Sequence, residues 1–136
     1  MRKLIFAIPA AMLLAAPAIS GEQIELTEKQ QAELDKRLEG RTAGEAQSCI
    51  NRNDQREMTV ISDDILIFAS RRNAKTIYVN KPLGGCRNAD RSILSYSRPT
   101  STLCRGDAVQ LIDNTTKMST GSCAFGDFVP YTKDAE

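Results

Sequence analysis

The sequence contains no histidine and no tryptophan among its 136 residues, and aromatic residues make up 5% of it. Histidine is the commonest general acid or base, the usual base of serine and cysteine triads, and a preferred ligand of transition metals. Its absence removes most hydrolase templates and leaves carboxylate, lysine or tyrosine chemistry. So few aromatic rings also leave little material for stacking against sugars or bases. The composition therefore favours a protein that is not an enzyme and that has no cofactor, metal site or catalytic residue.

The sequence also lacks an excess of either charge, with 18 basic and 17 acidic side chains. A general nucleic-acid binder neutralises many phosphates and needs a surplus of basic residues. We therefore expect no general nucleic-acid binding. The global charge indicates no other partner, so any partner has to be argued from local clusters of charge.

The first twenty residues are typical of a secretory signal peptide. Arg2 and Lys3 precede an apolar run over residues 4–16, and Ala18 and Ser20 supply the small side chains that signal peptidase requires. The alternative, a retained membrane anchor, needs roughly 20 apolar residues, and this run is shorter. We expect cleavage after Ser20, which leaves 116 residues without a transmembrane segment, enough for one compact domain. The expected location is outside the reducing cytosol.

All four cysteines lie beyond the signal segment, at Cys49, Cys86, Cys104 and Cys123. No two of them form a CxxC pair, so the spacing of a zinc site is absent. An even number of cysteines in an exported chain predicts two disulfide bonds, with free or reactive thiols as the alternative. Four cysteines allow three pairings, and the sequence does not select one of them.

Residues 27–40 have the pattern of one amphipathic helix. Thr27 and Gln30 have the spacing of a capping box, and Gly40 suits the position just after a helix end. The apolar stripe is narrow, so we expect one edge of the helix to lie on the domain while the rest faces solvent. That stripe consists of Ala32, Leu34 and Leu38. Residues 40–48 are typical of a connector that could contain a helical turn.

From Cys49 onward, Val, Ile, Thr and Tyr occur in short runs separated by Asn, Asp, Gly and Pro, a pattern typical of strands and turns. We therefore predict a mainly β fold, a small antiparallel barrel or sandwich with an OB-like barrel as one form, preceded by one N-terminal amphipathic helix. Residues 56–80 have the pattern of a three-stranded meander. The predicted strands are residues 49–52, 56–62, 65–70, 75–80, 92–98, 103–113 and 122–131.

The chain accordingly divides into three parts. Residues 1–20 form the signal peptide and residues 21–48 the N-terminal helix with its connector. Residues 49–136 form a β domain stapled by disulfide bonds. Because the mature chain is short, we expect its helix to pack on the β domain instead of forming a core of its own.

Five blocks of the sequence together resemble a known family. They are GRTAGEAQSCI, DDILIF, IYVNKPLGGC, LCRGDAVQLID and GSCAFGDFVPY, which follow one another in this order between residues 40 and 131. The family comprises small exported four-cysteine proteins of alphaproteobacteria whose function is unknown. The resemblance implies a Gram-negative source and a periplasmic or secreted location, and it transfers no activity, ligand or catalytic residue.

Residues 71–91 concentrate positive charge, with six basic side chains against Asp90 alone. Residues 22–45 have the opposite balance, seven acidic against four basic. Such polarity suits contact with an envelope protein or an anionic polymer, whereas solvation of loops and strand edges is the simpler alternative. Tyr78 and Tyr96 could place their hydroxyl groups beside the basic residues. The candidate binding residues are Arg71, Arg72, Lys75, Tyr78, Lys81, Arg87 and Arg91.

Three other motifs have simpler structural explanations. Arg105-Gly106-Asp107 spells an adhesion tripeptide, but we expect Gly106 to provide a bend where a strand begins. Asn114 lies in a glycosylation acceptor pattern, and we expect it to form a turn. Asp63 and Asp64 are adjacent, so in an extended chain they point to opposite faces, and we expect them to form a turn as well.

Two functions of different classes follow. We favour a non-catalytic periplasmic binding or interaction module that uses residues 71–91. The alternative is a small envelope hydrolase that uses Asp107, Asp113 or Asp127 with a tyrosine or a lysine, since these carboxylates could converge on one rim of the fold. There they could also hold a calcium ion. The sequence indicates neither the identity of the partner nor the oligomeric state.

Overall fold

The structure, a computed structural model, describes residues 24–97 and 100–135. The predicted signal peptide lies outside these residues. Within them the chain forms one α-helix, ten strands and two short 3-10 helices, at Arg52–Gln55 and Ala89–Arg91. The helix and strands are α1 (Glu28–Leu38), β1 (Arg41–Ala43), β2 (Cys49–Asn51), β3 (Glu57–Ser62), β4 (Ile65–Ala69), β5 (Thr76–Asn80), β6 (Ser92–Ser95), β7 (Thr102–Cys104), β8 (Ala108–Asp113), β9 (Ser119–Ala124) and β10 (Phe128–Lys133).

Helix α1 begins and ends where the sequence predicts. The backbone N–H of Thr27 donates to Gln30 Oε1 at 3.0 Å, and the N–H of Gln30 donates to Thr27 Oγ1 at 3.2 Å, which completes the capping box. The helix ends before Gly40, whose φ of +68° is the left-handed conformation common after a helix C-terminus. No residue of α1 is fully buried, and Leu34 and Leu38 lie half-buried against the sheet. The predicted amphipathic helix with one docked edge is confirmed.

The largest sheet is antiparallel and has the strand order β1-β10-β5-β4-β3. Strands β3, β4 and β5 are consecutive neighbours, which confirms the meander predicted over residues 56–80. Strand β10 pairs with β5, and β1 pairs with the other side of β10. Strand β1 lies in the predicted connector, so this segment forms an edge strand and not a helical turn.

Two smaller antiparallel sheets, β2-β7 and β6-β8-β9, contain the remaining strands. The prediction of one strand over residues 103–113 is wrong, because a turn separates β7 from β8, and Gly106 in that turn has a φ of +87°. The prediction of one strand over residues 122–131 is also wrong, because residues 125–127 interrupt the pairing between β9 and β10. In both places a glycine marks the break.

One disulfide bond lies within the β2-β7 sheet, and the other ties the β6-β8-β9 sheet to the segment that follows β5. Cys49–Cys104 joins β2 and β7 at directly paired positions, and Cys86–Cys123 joins the segment after β5 to β9. All four cysteines are paired, so the two predicted disulfides are confirmed and one of the three pairings is selected. Two such bonds indicate an oxidising compartment, periplasmic or extracellular.

The five-stranded sheet is the middle layer of the fold. One face carries an aliphatic cluster that includes Ile67 and Ile77, and α1 covers this face. The other face packs on the smaller sheets around Phe68, Phe125 and Phe128, and the ring of Phe68 meets the other two edge-on, with centroids 5.5 and 5.7 Å apart. Strand β4 lies between the two clusters, so all five of its residues are buried.

The predicted mainly β fold with one N-terminal helix is confirmed. In the described part of the chain the sheets are stacked and none closes into a barrel, since β1 and β3 are open edges of the largest sheet. The barrel and OB-like forms of the prediction are therefore not observed. No helix within residues 24–97 and 100–135 is long and apolar enough to cross a membrane.

The fully buried Asn80 fixes the start of β10. Its Nδ2 donates to the Gly126 carbonyl oxygen at 2.8 Å, and its Oδ1 accepts from the Gly126 N–H at 3.1 Å. A Cβ atom on Gly126 would lie 2.1 Å from the Lys81 carbonyl oxygen. Only glycine allows the two backbones to approach this closely.

Candidate anion-binding groove

The basic residues predicted as one surface occupy separate places. Arg71, Arg72 and Lys75 belong to the turn between β4 and β5, whereas Lys81 follows β5. Because β5 separates Lys75 from Lys81, their backbones lie about 20 Å apart at roughly 3.3 Å per residue. The other two, Arg87 and Arg91, lie in the exposed segment that leads to β6. The structure therefore brings together only the three basic residues of the β4–β5 turn.

The two tyrosines expected beside the basic residues lie elsewhere. Tyr78 is paired with Phe68 across β4 and β5 and packs on the cluster between the sheets, the face opposite α1. Burial, and then the negative charge of Asp54, raise the pKa of the Tyr78 hydroxyl. The ring of Tyr96 meets Phe125 edge-on, with centroids 5.5 Å apart. Both rings therefore contribute to core packing.

A groove of about 760 Å³ lies between α1 and the end of the five-stranded sheet that carries the β4–β5 turn. Its floor includes Ala32 and Ile77, and its carboxylates are Glu33 and Glu39. Its six cationic side chains are Lys29, Lys36, Arg37, Arg41, Arg72 and Lys133. We call this the basic groove.

Helix α1 contributes to the basic groove although its segment has an acidic balance. Lys29, Lys36 and Arg37 are spaced seven and eight residues apart, which places them on one side of a helix. A count of charge along the segment hides this arrangement, because only Glu33 and Glu39 among its described acidic residues line the groove. The helical spacing of the lysines and Arg37 is the signal that sequence reasoning missed.

A smaller pocket of about 190 Å³ adjoins the basic groove. Arg37 and Arg72 line both spaces, and Arg71 is the third arginine of the pocket lining, which also includes Ile67 and Ala69. Arg37 Nη2 donates to Thr59 Oγ1 at 3.3 Å, and Glu57 is the carboxylate of the lining. We call this the arginine pocket.

Arg41 is the structural cation of the basic groove. Its guanidinium donates to the carbonyl oxygens of Lys75 at 2.7 Å, Ala74 at 2.9 Å and Tyr131 at 3.3 Å. These bonds tie β1 to the β4–β5 turn and to β10. Partial burial, and then the positive charge of Arg37, lower the pKa of Arg41.

The ion pairs of the described residues lie away from the groove. Within residues 24–97 and 100–135 they are Arg91–Asp90 at 3.8 Å and Arg105–Asp127 at 2.6 Å. The lysines and arginines that line the groove therefore have no salt-bridge partner within these ranges. Four of these six cations, Lys29, Lys36, Arg72 and Lys133, are exposed to solvent.

The adhesion tripeptide has a local structural role, as the sequence suggests. Arg105 is paired with Asp127, and Asp107 Oδ2 accepts the Cys104 N–H at 2.7 Å. Gly106 takes the left-handed conformation in the turn between them. Asn114 lies in the turn between β8 and β9, where its Oδ1 accepts from Lys117 Nζ at 3.1 Å.

The three carboxylates of the hydrolase alternative do not all meet at one end of the fold. Asp107 and Asp113 lie at opposite ends of β8, and Asp127 is paired with Arg105. Hydrogen bonds from Thr116 and Thr115 lower the pKa of Asp113, which therefore stays ionised and is a poor proton donor. The described ranges contain no group of three or more Cys, Asp or Glu side chains that could hold a metal ion.

Asp63 and Asp64 form the turn between β3 and β4 that the sequence predicts. Asp63 Oδ1 accepts the Ala89 N–H at 3.2 Å, and its carbonyl oxygen accepts the Cys86 N–H at 2.7 Å. Asp64 N–H donates to Ser62 Oγ at 3.1 Å. These bonds give the pair a structural role.

Comparison with known proteins returns no relative. The sequence matches no protein-family model and no curated protein, and the fold matches no solved structure. Function therefore has to be argued from the chemistry of the basic groove and the arginine pocket.

Proposed function

We propose that this protein is an exported, non-catalytic binding module of the bacterial periplasm or exterior, and that its basic groove binds an anionic polymer of the cell envelope. The signal-like first twenty residues, cut after Ser20, account for export. The two disulfides fit that location. The resemblance of residues 40–131 to exported alphaproteobacterial proteins supports the same cellular location.

The convergence of cations from α1 and from the sheet carries this proposal. Six cationic side chains line the basic groove against two carboxylates, and Arg41 alone is used to hold backbone carbonyl groups. Like charges repel, so gathering them in one groove costs stability unless an anion neutralises them. Solvated cations scattered around loops, such as Arg87 and Arg91, do not face this cost.

The shape of the groove favours an extended ligand. The groove follows α1, whose 11 residues span about 16 Å at 1.5 Å per residue. Cations lie along this length, from Lys29 near the start of the helix to Lys36 and Arg37 near its end. An anionic polymer presents charges at several points along such a path, which a single compact anion does not.

Dextran sulfate, a soluble anionic polymer, is the probe that tests this proposal. The variant Lys36→Glu/Arg71→Glu/Arg72→Glu reverses three charges of the groove and the adjoining pocket. At about 0.5–1 kcal/mol for each exposed cation, loss of the three contacts should weaken binding about tenfold to a hundredfold. Fluorescence anisotropy of the labelled polymer measures the affinity, at about 50 mM and about 200 mM salt.

A matched control reverses the same number of charges away from the groove. Lys81→Glu/Arg87→Glu/Arg91→Glu changes three other cations of the 71–91 segment, all of which are exposed. This control should retain most of the affinity. Equal losses in the two triple variants would show that the groove has no special role, and retained affinity in both would exclude polymer binding through residues 71–91.

A further inference from the structure

We infer that the arginine pocket is a phosphate subsite, so that the ligand of the basic groove carries a phosphomonoester that Arg37, Arg71, Arg72 and Thr59 hold. This inference rests on the proposed function and names the chemical group that the site recognises. A phosphate subsite requires more than positive charge, because it depends on the geometry of its hydrogen-bond donors.

The charge of the arginine pocket matches a phosphate dianion. Arg37, Arg71 and Arg72 contribute three positive charges and Glu57 contributes one negative charge. A phosphomonoester carries about −1.5 to −2 charges near neutral pH, which neutralises this excess. A carboxylate or a sulfate ester carries one negative charge and would leave an uncompensated cation in the pocket.

The donors of the pocket are of the kind that phosphate requires. A guanidinium group presents a planar fork of N–H donors that binds two phosphate oxygens side by side. Thr59 Oγ1 accepts a hydrogen bond from Arg37, and a hydroxyl that accepts one bond retains a proton to donate. The pocket volume of about 190 Å³ accommodates one phosphate group.

The basic groove has room for the rest of the ligand. Arg37 and Arg72 stand between the two spaces, so a phosphate in the pocket would extend its ester oxygen towards the groove. The groove floor at Ala32 and Ile77 is apolar, and the rim carries lysine side chains. This arrangement suits an organic phosphate whose carbon skeleton lies along α1, in preference to free inorganic phosphate.

Four small probes test the inference with the full mature chain and both disulfides intact. Phenyl phosphate, phenyl sulfate and benzoate share one ring and differ in the anion, and inorganic phosphate lacks the ring. We expect phenyl phosphate to bind at least about tenfold more tightly than each of the other three, as measured by calorimetry. An affinity for phenyl sulfate equal to that for phenyl phosphate would overturn the phosphate assignment.

The pH dependence of binding gives a second readout. The second proton of a phosphomonoester is lost near pH 6, so affinity should rise between about pH 5 and about pH 7.5. The sequence has no histidine, and arginine stays charged over this range, so the ligand supplies the titration. Glu57→Gln removes the carboxylate of the pocket and should leave the rise in place. Affinity that does not change over this range would overturn the inference.

Two variants separate donor geometry from charge. Arg71→Lys/Arg72→Lys keeps both charges and removes both forks, so it should weaken phenyl phosphate about tenfold and leave dextran sulfate almost unchanged. The matched control is Arg87→Lys/Arg91→Lys, which should change neither. If dextran sulfate binds through the groove and phenyl phosphate does not bind, the phosphate subsite is wrong and the proposed function stands. If neither binds, both are wrong.

The phosphomonoester could belong to a lipid headgroup or to a soluble ester. Vesicles of phosphatidylcholine with about one-fifth phosphatidic acid, a phosphomonoester lipid, separate these sources. Binding to the vesicles that Arg71→Lys/Arg72→Lys weakens would identify a lipid source. Binding of phenyl phosphate without vesicle binding would identify a soluble source, and both results support the same subsite.

Discussion

Replacing the Cys49–Cys104 disulfide with two alanines should lower the free energy of unfolding by about 4 kcal/mol. The bond closes a loop between residues 55 positions apart. In the chain-entropy model a loop of this length restricts the unfolded chain by about 4 kcal/mol at room temperature. Ile50 and Leu103, the neighbours of the two cysteines, are fully buried in the core and keep β2 and β7 in place without the bond. Most of the loss of stability should therefore come from the greater conformational entropy of the unfolded chain, and little from a change in the folded structure.

The two disulfides overlap along the chain, which makes their effects interdependent. Cys49 pairs with Cys104, and Cys86, which lies between them, pairs with Cys123 outside. The Cys86–Cys123 loop of 37 positions alone also corresponds to about 4 kcal/mol. In a chain that is already cross-linked, however, the second bond closes a smaller additional loop. Removing both bonds should therefore cost less than the sum of the single removals.

Urea denaturation followed by far-ultraviolet circular dichroism measures these losses. Without the bond the denatured ensemble is more expanded, so the slope of free energy against urea should rise as well. Ser48→Ala/Ser101→Ala changes two exposed side chains, one beside Cys49 and one three residues before Cys104, and serves as the control. A loss below about 1 kcal/mol for Cys49→Ala/Cys104→Ala, with an unchanged slope, would refute the loop-entropy reasoning.

Three further changes test other parts of the fold. Gly126→Ala should cost about 1–3 kcal/mol because its Cβ would meet the Lys81 carbonyl oxygen at 2.1 Å, and an unchanged melting temperature would contradict this close approach. Thr27→Ala should cost about 1 kcal/mol by removing the helix cap, while Thr27→Ser should restore most of it, as urea denaturation would show. Asp113 has a folded pKa below its ordinary value of 3.8, so its contribution to stability is present above that value and is lost as the pH falls through the folded pKa. An NMR titration midpoint at or above 3.8 would contradict the turn hydrogen bonds as the cause.

Local signals in the sequence predict the elements that depend on local interactions. The capping box of Thr27 fixes the start of α1, and the alternation over residues 56–80 identifies the meander. Strand β1 could not be predicted in this way, because its three residues show no strand pattern and pairing with β10 holds them. Within residues 103–113, Gly106 and Asp107 are residues that favour a turn, and the break between β7 and β8 falls there, where Asp107 accepts the Cys104 N–H.

Local signals in the sequence likewise predict only part of the candidate site. Arg71 and Arg72 stand out in the sequence because they are adjacent in a segment with little negative charge. Their partners across the groove, Lys36 and Arg37, lie more than thirty residues earlier in a segment whose net charge is negative. Only the packing of α1 on the sheet brings the two sets together. Lys81 is close to Arg72 in sequence and yet lies at the other end of β5.

The basic groove follows from the narrow apolar stripe of α1. The sheet face below the helix is broadly apolar, but α1 covers it only with Leu34 and Leu38, and the segment before the helix adds Ile24 and Leu26. Because α1 contacts the sheet along one edge only, the side of the helix next to that edge stands above the sheet. On α1 this side carries Lys29, Lys36 and Arg37. A wider apolar stripe on α1 would fill the basic groove with side chains. A less stable helix would remove one wall of the groove. The binding surface therefore depends on the residues that stabilise and dock α1, so loosening the cap at Thr27 should weaken folding and ligand affinity together.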